Sequence, residues 1–180
     1  MYGLVNKAIG ELVCEHFGVE KWHAVKIRSG IDIDFFLALE PYDDEITYTL
    51  ANAVSEEMNM PIEQVMVAFG EYWVLKTGKE KYGALMSSGG ADLKSFLLNL
   101  PVFHDRVALF YPKLIPPVFK VSDVTDQSLH LHYITTRPGL QDFVIGLIQG
   151  LGKFYSTEVK IELLQTRKEG SDHEIYKIIW

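Results

Sequence analysis

The chain has 180 residues, a length that suits one generous domain or two small ones, and its 48% hydrophobic, 23% charged composition excludes collagen-like, disordered and disulfide-scaffold classes. A net charge of −7 opposes a phosphate-tracking surface, which needs clustered Lys and Arg, so no nucleic-acid partner is expected. The lone Cys14 reads as core filler, Met1–Gly10 lacks the charge order of a signal peptide, and no apolar run nears the roughly 20 residues of a membrane span, which predicts a soluble cytoplasmic protein without membrane contact.

Leu4, Val5, Ala8, Ile9, Leu12, Val13 and Phe17 recur at helical spacing, and Gly18 follows as a stop. Short helices are expected over Val19–Arg28 and Asp32–Leu39, broken by Ser29-Gly30 and by Pro41. Asp43 and Asp44 open a further helix with Ile46, Leu50, Ala53, Val54 and Met58 on one stripe, and the acids suit its positive end. Pro61 starts the next, which carries Ile62, Val65, Met66, Phe69, Trp73 and Leu75 and is expected to end near Thr77-Gly78, with a small-residue stretch at Ser87–Ala91 after it. Asp92 caps a helix with Leu93, Phe96, Leu97, Leu100, His104, Val107 and Ala108 on one face. Beyond Pro112, Pro116 and Pro117 the texture changes. Val118–Val124 and Ser128–Thr136 read as strands, Gly139–Phe154 returns to helical spacing, and Thr157–Leu163 and Glu174–Trp180 read as a closing strand pair. Helices first and strands mostly later define an α+β chain, with two subregions expected to share one core.

Among six histidines, His104 stands out because it lies on the apolar stripe of its helix, where a buried imidazole needs a partner. Pro101, one turn earlier, removes a backbone donor and is expected to kink or restart that helix. His130 and His132 are two apart on a strand and so share a face, a metal pair with no evident third ligand; solvated side chains are the simpler account, with Leu129, Leu131 and Tyr133 facing the core. Tyr133, Thr135 and Arg137 also fall at period two, and two hydroxyls with a guanidinium at a strand end suit a carboxylate or phosphate. No nucleophile elbow, phosphate-binding glycine loop or zinc-protease helix is present.

Met1-Tyr2-Gly3-Leu4-Val5-Asn6, Phe69-Gly70-Glu71-Tyr72-Trp73, His104-Asp105-Arg106, Tyr111-Pro112 through Pro116-Pro117, and Tyr133-x-Thr135-x-Arg137-Pro138-Gly139-Leu140 occur in an order that closely resembles the H-NOX family, the heme nitric oxide/oxygen binding domains. The resemblance runs from Met1 to Trp180 and implies a single domain over 1–180. Its helical subregion spans about 1–60, and about 61–180 holds the pocket helices and an antiparallel sheet, with heme b enclosed between the parts. It makes His104 the iron ligand. It also makes Tyr133, Thr135 and Arg137 the propionate contacts, with threonine standing where the family motif has serine, and sets Pro117 against the porphyrin. A heme is a large apolar plate with two acids on one edge, and Leu4, Val5, Trp73, Phe143 and Leu147 are expected to supply the slot.

The resemblance implies a non-enzymatic gas sensor. The family's oxygen-binding members place a tyrosine where this chain has Phe143, which points to nitric oxide and carbon monoxide as ligands. The indole of Trp73 is an alternative donor for oxygen. Without a kinase or cyclase segment in these residues, the expected output is a separate signalling protein, a histidine kinase or a cyclic-di-nucleotide enzyme. Two rival readings are a heme enzyme of peroxidase or oxygenase type, which would need a distal acid–base pair, and a heme-free module using the same pocket for a flat ligand.

Overall fold

The computed structural model describes residues 1–180. Helix α1 (Gly3–Phe17) ends at Gly18, whose φ of +89° lies in the region that favours glycine. Helix α2 (Val19–Ser29) stops at left-handed Gly30, and α3 (Asp44–Met58) is capped by the Asp43 carboxylate, which accepts from the Glu45 N–H at 3.1 Å.

The expected helix over Asp32–Leu39 does not form. That segment instead runs irregularly past the start of α1, where its carbonyls take up donors that a helix N-terminus leaves unpaired: Gly3 N–H bonds to Glu40 O at 2.9 Å and Leu4 N–H to Ala38 O at 3.2 Å. The approach is so close that a Cβ on Gly3 would lie 2.2 Å from the Leu37 carbonyl oxygen, so only glycine fits there.

Helix α4 (Ile62–Tyr72) does not end near Thr77-Gly78 as the sequence suggests. It widens into a π-helical turn, Trp73–Gly78, and continues as α5 (Lys79–Gly89), because Gly78 adopts ordinary helical angles. Helix α6 (Leu93–Ala108) begins at Asp92, whose side chain accepts from Ser95 N–H at 2.7 Å, and it runs through Pro101 instead of restarting there.

Four antiparallel strands follow, β1 (Val118–Ser122), β2 (Ser128–Ile134), β3 (Lys160–Gln165) and β4 (Glu174–Ile179), in the order β1-β2-β4-β3. Helix α7 (Gln141–Phe154) lies between β2 and β3 in the chain. Leu129, Leu131 and Tyr133 are buried as expected, whereas β3, an edge strand, is bulged between Leu163 and Gln165 and its burial does not alternate.

The expected shared core is divided. One apolar cluster joins the sheet to α6 and α7 through Phe96, Leu97, Leu131, Val144, Ile148 and Tyr176. A second joins α1, α3 and α4 through Ile9, Leu12, Leu50, Val54 and Phe69, and Phe143 packs against both. Helices α4 and α7 cross at glycines: a Cβ on Gly70 would lie 2.1 Å from the Phe143 carbonyl oxygen, and one on Gly146 would lie 2.0 Å from that of Val67. No helix is long and apolar enough to cross a membrane.

Candidate functional site

Between the two clusters lies a cavity of about 280 Å³, and 29 of its 35 lining residues are hydrophobic, which suits a ligand that is mostly apolar. Leu4, Val5 and Ile9 of α1, Phe69 of α4, Trp73 and Val74 of the π turn, and Phe143 and Leu147 of α7 line it. The Phe69 ring sits 5.1 Å from that of Phe143 and 6.2 Å from that of Trp73, so the glycine crossing brings three aromatic rings into one patch of wall. Pro117, Phe119, Tyr133, Arg137 and His104 line the same space.

His104 projects from the C-terminal half of α6. Its Nδ1–H donates to the Leu100 carbonyl at 3.0 Å, which fixes the tautomer and leaves the Nε2 lone pair free on a ring that borders the cavity. Burial pushes the imidazole below its ordinary value, against the Leu100 bond and the Asp105 charge, so the ring is neutral at physiological pH. Phe119, at 4.7 Å between ring centroids, and Phe103, at 5.5 Å, hold the ring from two sides. A neutral imidazole facing an apolar chamber can ligate a metal that the chamber brings to it.

Tyr133 is buried on β2, and burial pushes its phenol up to about 12, so it remains a neutral donor. Arg137 lies beyond the strand end. Its Nε donates to Asp44 Oδ2 at 2.7 Å and its Nη1 to the Ile115 carbonyl at 2.8 Å, while the other Asp44 oxygen takes the Met1 ammonium. Partial burial raises the Asp44 carboxyl, but the Met1 ammonium and Arg137 outweigh it and hold the group below the usual carboxylate range. Arg137, which lines the cavity, thus brings a guanidinium to this edge, where an acid group of a ligand could pair with it.

Thr135 is the one expected site residue that does not line the cavity. Its Oγ1 accepts the Arg137 N–H at 3.2 Å and shapes the turn instead. Behind that turn Arg167 donates to the Thr135 carbonyl at 3.0 Å and to the Arg137 carbonyl at 2.6 Å, while its Nε pairs with Glu174 at 3.0 Å. Sequence reasoning missed Arg167, Asp44, Tyr48, Phe119 and the Tyr82–Tyr111 hydroxyl pair on the cavity wall. Asp44 lies 93 positions from Arg137, and its one sequence signal, a helix-opening acid, has a sufficient local explanation.

The architecture therefore defines an α+β binding domain with an apolar chamber, one inward imidazole and a cationic edge. Residues 2–163 match the family model described as Haem-NO-binding, and the chain belongs to that family. Among curated relatives, soluble guanylate cyclase gcy-32 of Caenorhabditis elegans is 29% identical over 178 residues, covering 96% of this chain and 26% of the relative. The guanylate cyclase soluble subunit beta-2 of Rattus norvegicus is 31% identical over 109 residues, 60% of this chain and 16% of its own. The chain thus spans about a quarter or less of these relatives. Its fold is that of the H-NOX protein from S. oneidensis solved in the Fe(II)NO ligation state (TM-score 0.88, 19% identity, 99% of this chain and 98% of that one). It is also that of an unliganded Fe(II) H-NOX protein from K. algicida, solved as a point mutant (TM-score 0.87, 20% identity, 99% and 96%).

Proposed function

We propose that this chain is a heme-based gas-sensing domain that encloses heme b, with His104 as the iron ligand, binds nitric oxide and carbon monoxide, and acts on a separate signalling protein. The observation that carries the reading is the neutral His104 ring, anchored through Nδ1 and bordering a chamber whose walls are apolar. The residues present fit the group: an apolar slot for the plate, an imidazole for the metal, and the Tyr133 phenol with the Arg137 guanidinium for the acid edge. Pro117 lines the chamber and would meet the plate, and Thr135 and Arg167 hold the turn that presents Arg137.

When bound, the heme supplies a ferrous iron whose open position takes a diatomic gas. The chain's own part is selection and transmission. Phe143, Phe69 and Trp73 exclude water from one wall, and Phe143 carries no hydroxyl to donate to a polarised ligand such as oxygen. His104 ties α6 to the chamber, and Phe119 ties it to β1, so a change in the pull on the ring reaches both the helix and the sheet. A gas biases this arrangement only by binding its two states unequally. The wall made by Phe69, Trp73 and Phe143 carries no acid–base pair of the kind a peroxidase uses, which favours sensing over that chemistry. A histidine kinase or a cyclic-di-nucleotide enzyme is the proposed recipient of the signal.

Visible spectra of the ferrous protein in air, under carbon monoxide and under nitric oxide test this reading. Complexes with carbon monoxide and nitric oxide and none stable with oxygen are expected. A stable oxygen complex would overturn the selectivity and assign the donor to Trp73, and a protein that takes up no heme would overturn the whole reading.

A further inference from the structure

Away from the chamber, on the face of β2 opposite Leu131 and Tyr133, His132 meets His173, which precedes β4; His132 Nδ1 lies 2.9 Å from His173 Nε2 and the rings stack at 27°. The proton positions in this contact follow from its two ends. Ser122 Oγ lies 2.7 Å from Asp123 Oδ2, and a carboxylate only accepts, so the serine hydrogen goes there. The serine oxygen is then left to accept from His132 Nε2 at 2.9 Å, which puts the His132 hydrogen on Nε2 and a lone pair on Nδ1. At the other end His173 Nδ1 is 2.6 Å from Asp172 Oδ1, so that nitrogen too carries a hydrogen and Nε2 carries the lone pair. Two neutral rings would therefore bring two lone pairs to within 2.9 Å of one another. A cation seated beside the gap would satisfy both nitrogens.

We propose that His132 and His173 form a binding site for a divalent transition-metal ion of the zinc, nickel or copper class. Both imidazoles already have the arrangement that metal-binding histidines use: the distal N–H is engaged by a carboxylate, directly from Asp172 and through Ser122 from Asp123, so the ligating nitrogens are fixed. At metal–nitrogen lengths of about 2.0–2.1 Å, two neighbouring ligand nitrogens sit about 2.9–3.4 Å apart, so the observed spacing needs little or no opening. Imidazole donors favour these metals over calcium or magnesium. No third His, Cys, Asp or Glu converges on the same point, so water completes the coordination and the site is open and of modest affinity. The His173 side chain keeps 18% of its surface exposed, which gives an ion access from solvent. Binding joins β2 to the segment entering β4 on the outer face of the sheet whose inner face carries Tyr133.

Untagged protein, as purified, titrated with zinc or nickel ions against a chromophoric chelator tests the site. One equivalent is expected to bind, weakened at least about tenfold in His132→Ala and in His173→Ala and about tenfold in Asp172→Asn, which keeps both ligands but loses the carboxylate. His16→Ala, on the far helix, should leave that binding intact. Zinc should raise the melting temperature of the parent and not that of the two alanine variants, a readout independent of heme and gas. No zinc or nickel binding at millimolar metal, or binding unchanged in the His132→Ala/His173→Ala double variant, would overturn the proposal.

Discussion

Replacement of Gly146 by Ala tests how the chamber wall is built. A Cβ at 146 would lie 2.0 Å from the Val67 carbonyl oxygen and 2.8 Å from the carbon behind it, about 1.4 Å short of the 3.4 Å at which ordinary contact begins. The obstacle is helix backbone, so no rotamer change relieves it, and α4 and α7 must separate along the crossing that seats Phe69 against Phe143. Overpacking costs about 1–3 kcal/mol in general and more where backbone must move, while alanine returns about 1 kcal/mol of helix propensity. Taking the upper end because backbone must move, about 3 kcal/mol less about 1 kcal/mol, the net loss expected is about 2 kcal/mol, or roughly 4–8 °C in melting temperature for a chain of this size. Gly83 in α5 is the control, since a Cβ there meets nothing within 4 Å, and Gly83→Ala should stabilise by about 0.5–1 kcal/mol. Thermal and urea unfolding followed by circular dichroism reads both variants. A Gly146→Ala protein as stable as the parent would refute the claim that backbone contact sets the spacing of this wall.

Arg137→Ala should lose heme faster than Thr135→Ala, because it removes a cationic group at the chamber edge while Thr135 acts through a neutral bond in the turn; charged bonds are worth about 1.5–3 kcal/mol against about 1 kcal/mol for neutral ones. Transfer of heme to apomyoglobin measures the two rates, and equal rates would count against a clamp at Arg137. The Asp44 carboxyl is held low by its partners, so its contribution to stability is present above the ordinary carboxyl range near about 3.9 and fades as pH falls through the lower folded value. Asp44→Asn should therefore lower stability at neutral pH and narrow the gap from the parent in acid, as urea unfolding from pH 7 down to 3 would show. Phe143→Tyr should move the ferrous protein toward a stable oxygen complex by placing a hydroxyl donor on the wall, and an unchanged spectrum in air would show that this position does not face the gas.

Local signals carried much of the fold. The stop at Gly18, the caps at Asp43 and Asp92 and the alternation of Leu129, Leu131 and Tyr133 are short-range chemistry, and each element stands where its residues put it. The apolar stripe of α6 likewise singled out His104. What failed depended on neighbours distant in the chain. Asp32–Leu39 has helical spacing, but the unpaired N–H groups of α1 compete for its carbonyls and win. Gly78 reads as a stop, yet a wider turn passes through it. The partners of Arg137 and His132 lie 93 and 41 positions away, distances across which periodicity carries no information. The bond from the Arg137 N–H to the Thr135 hydroxyl and the meeting of His132 with His173 are therefore visible only in the structure.

The central claim, that His104 holds the iron of a heme in this chamber, is tested most directly by the visible absorption spectrum of the ferrous His104→Gly protein recorded with and without added imidazole. Glycine opens a space where the ring stood beside Phe119, and free imidazole of the same shape should fill it. The account predicts that the spectrum of the parent is lost in the variant and regained on adding imidazole. A variant whose ferrous and carbonyl spectra match the parent without imidazole would contradict it.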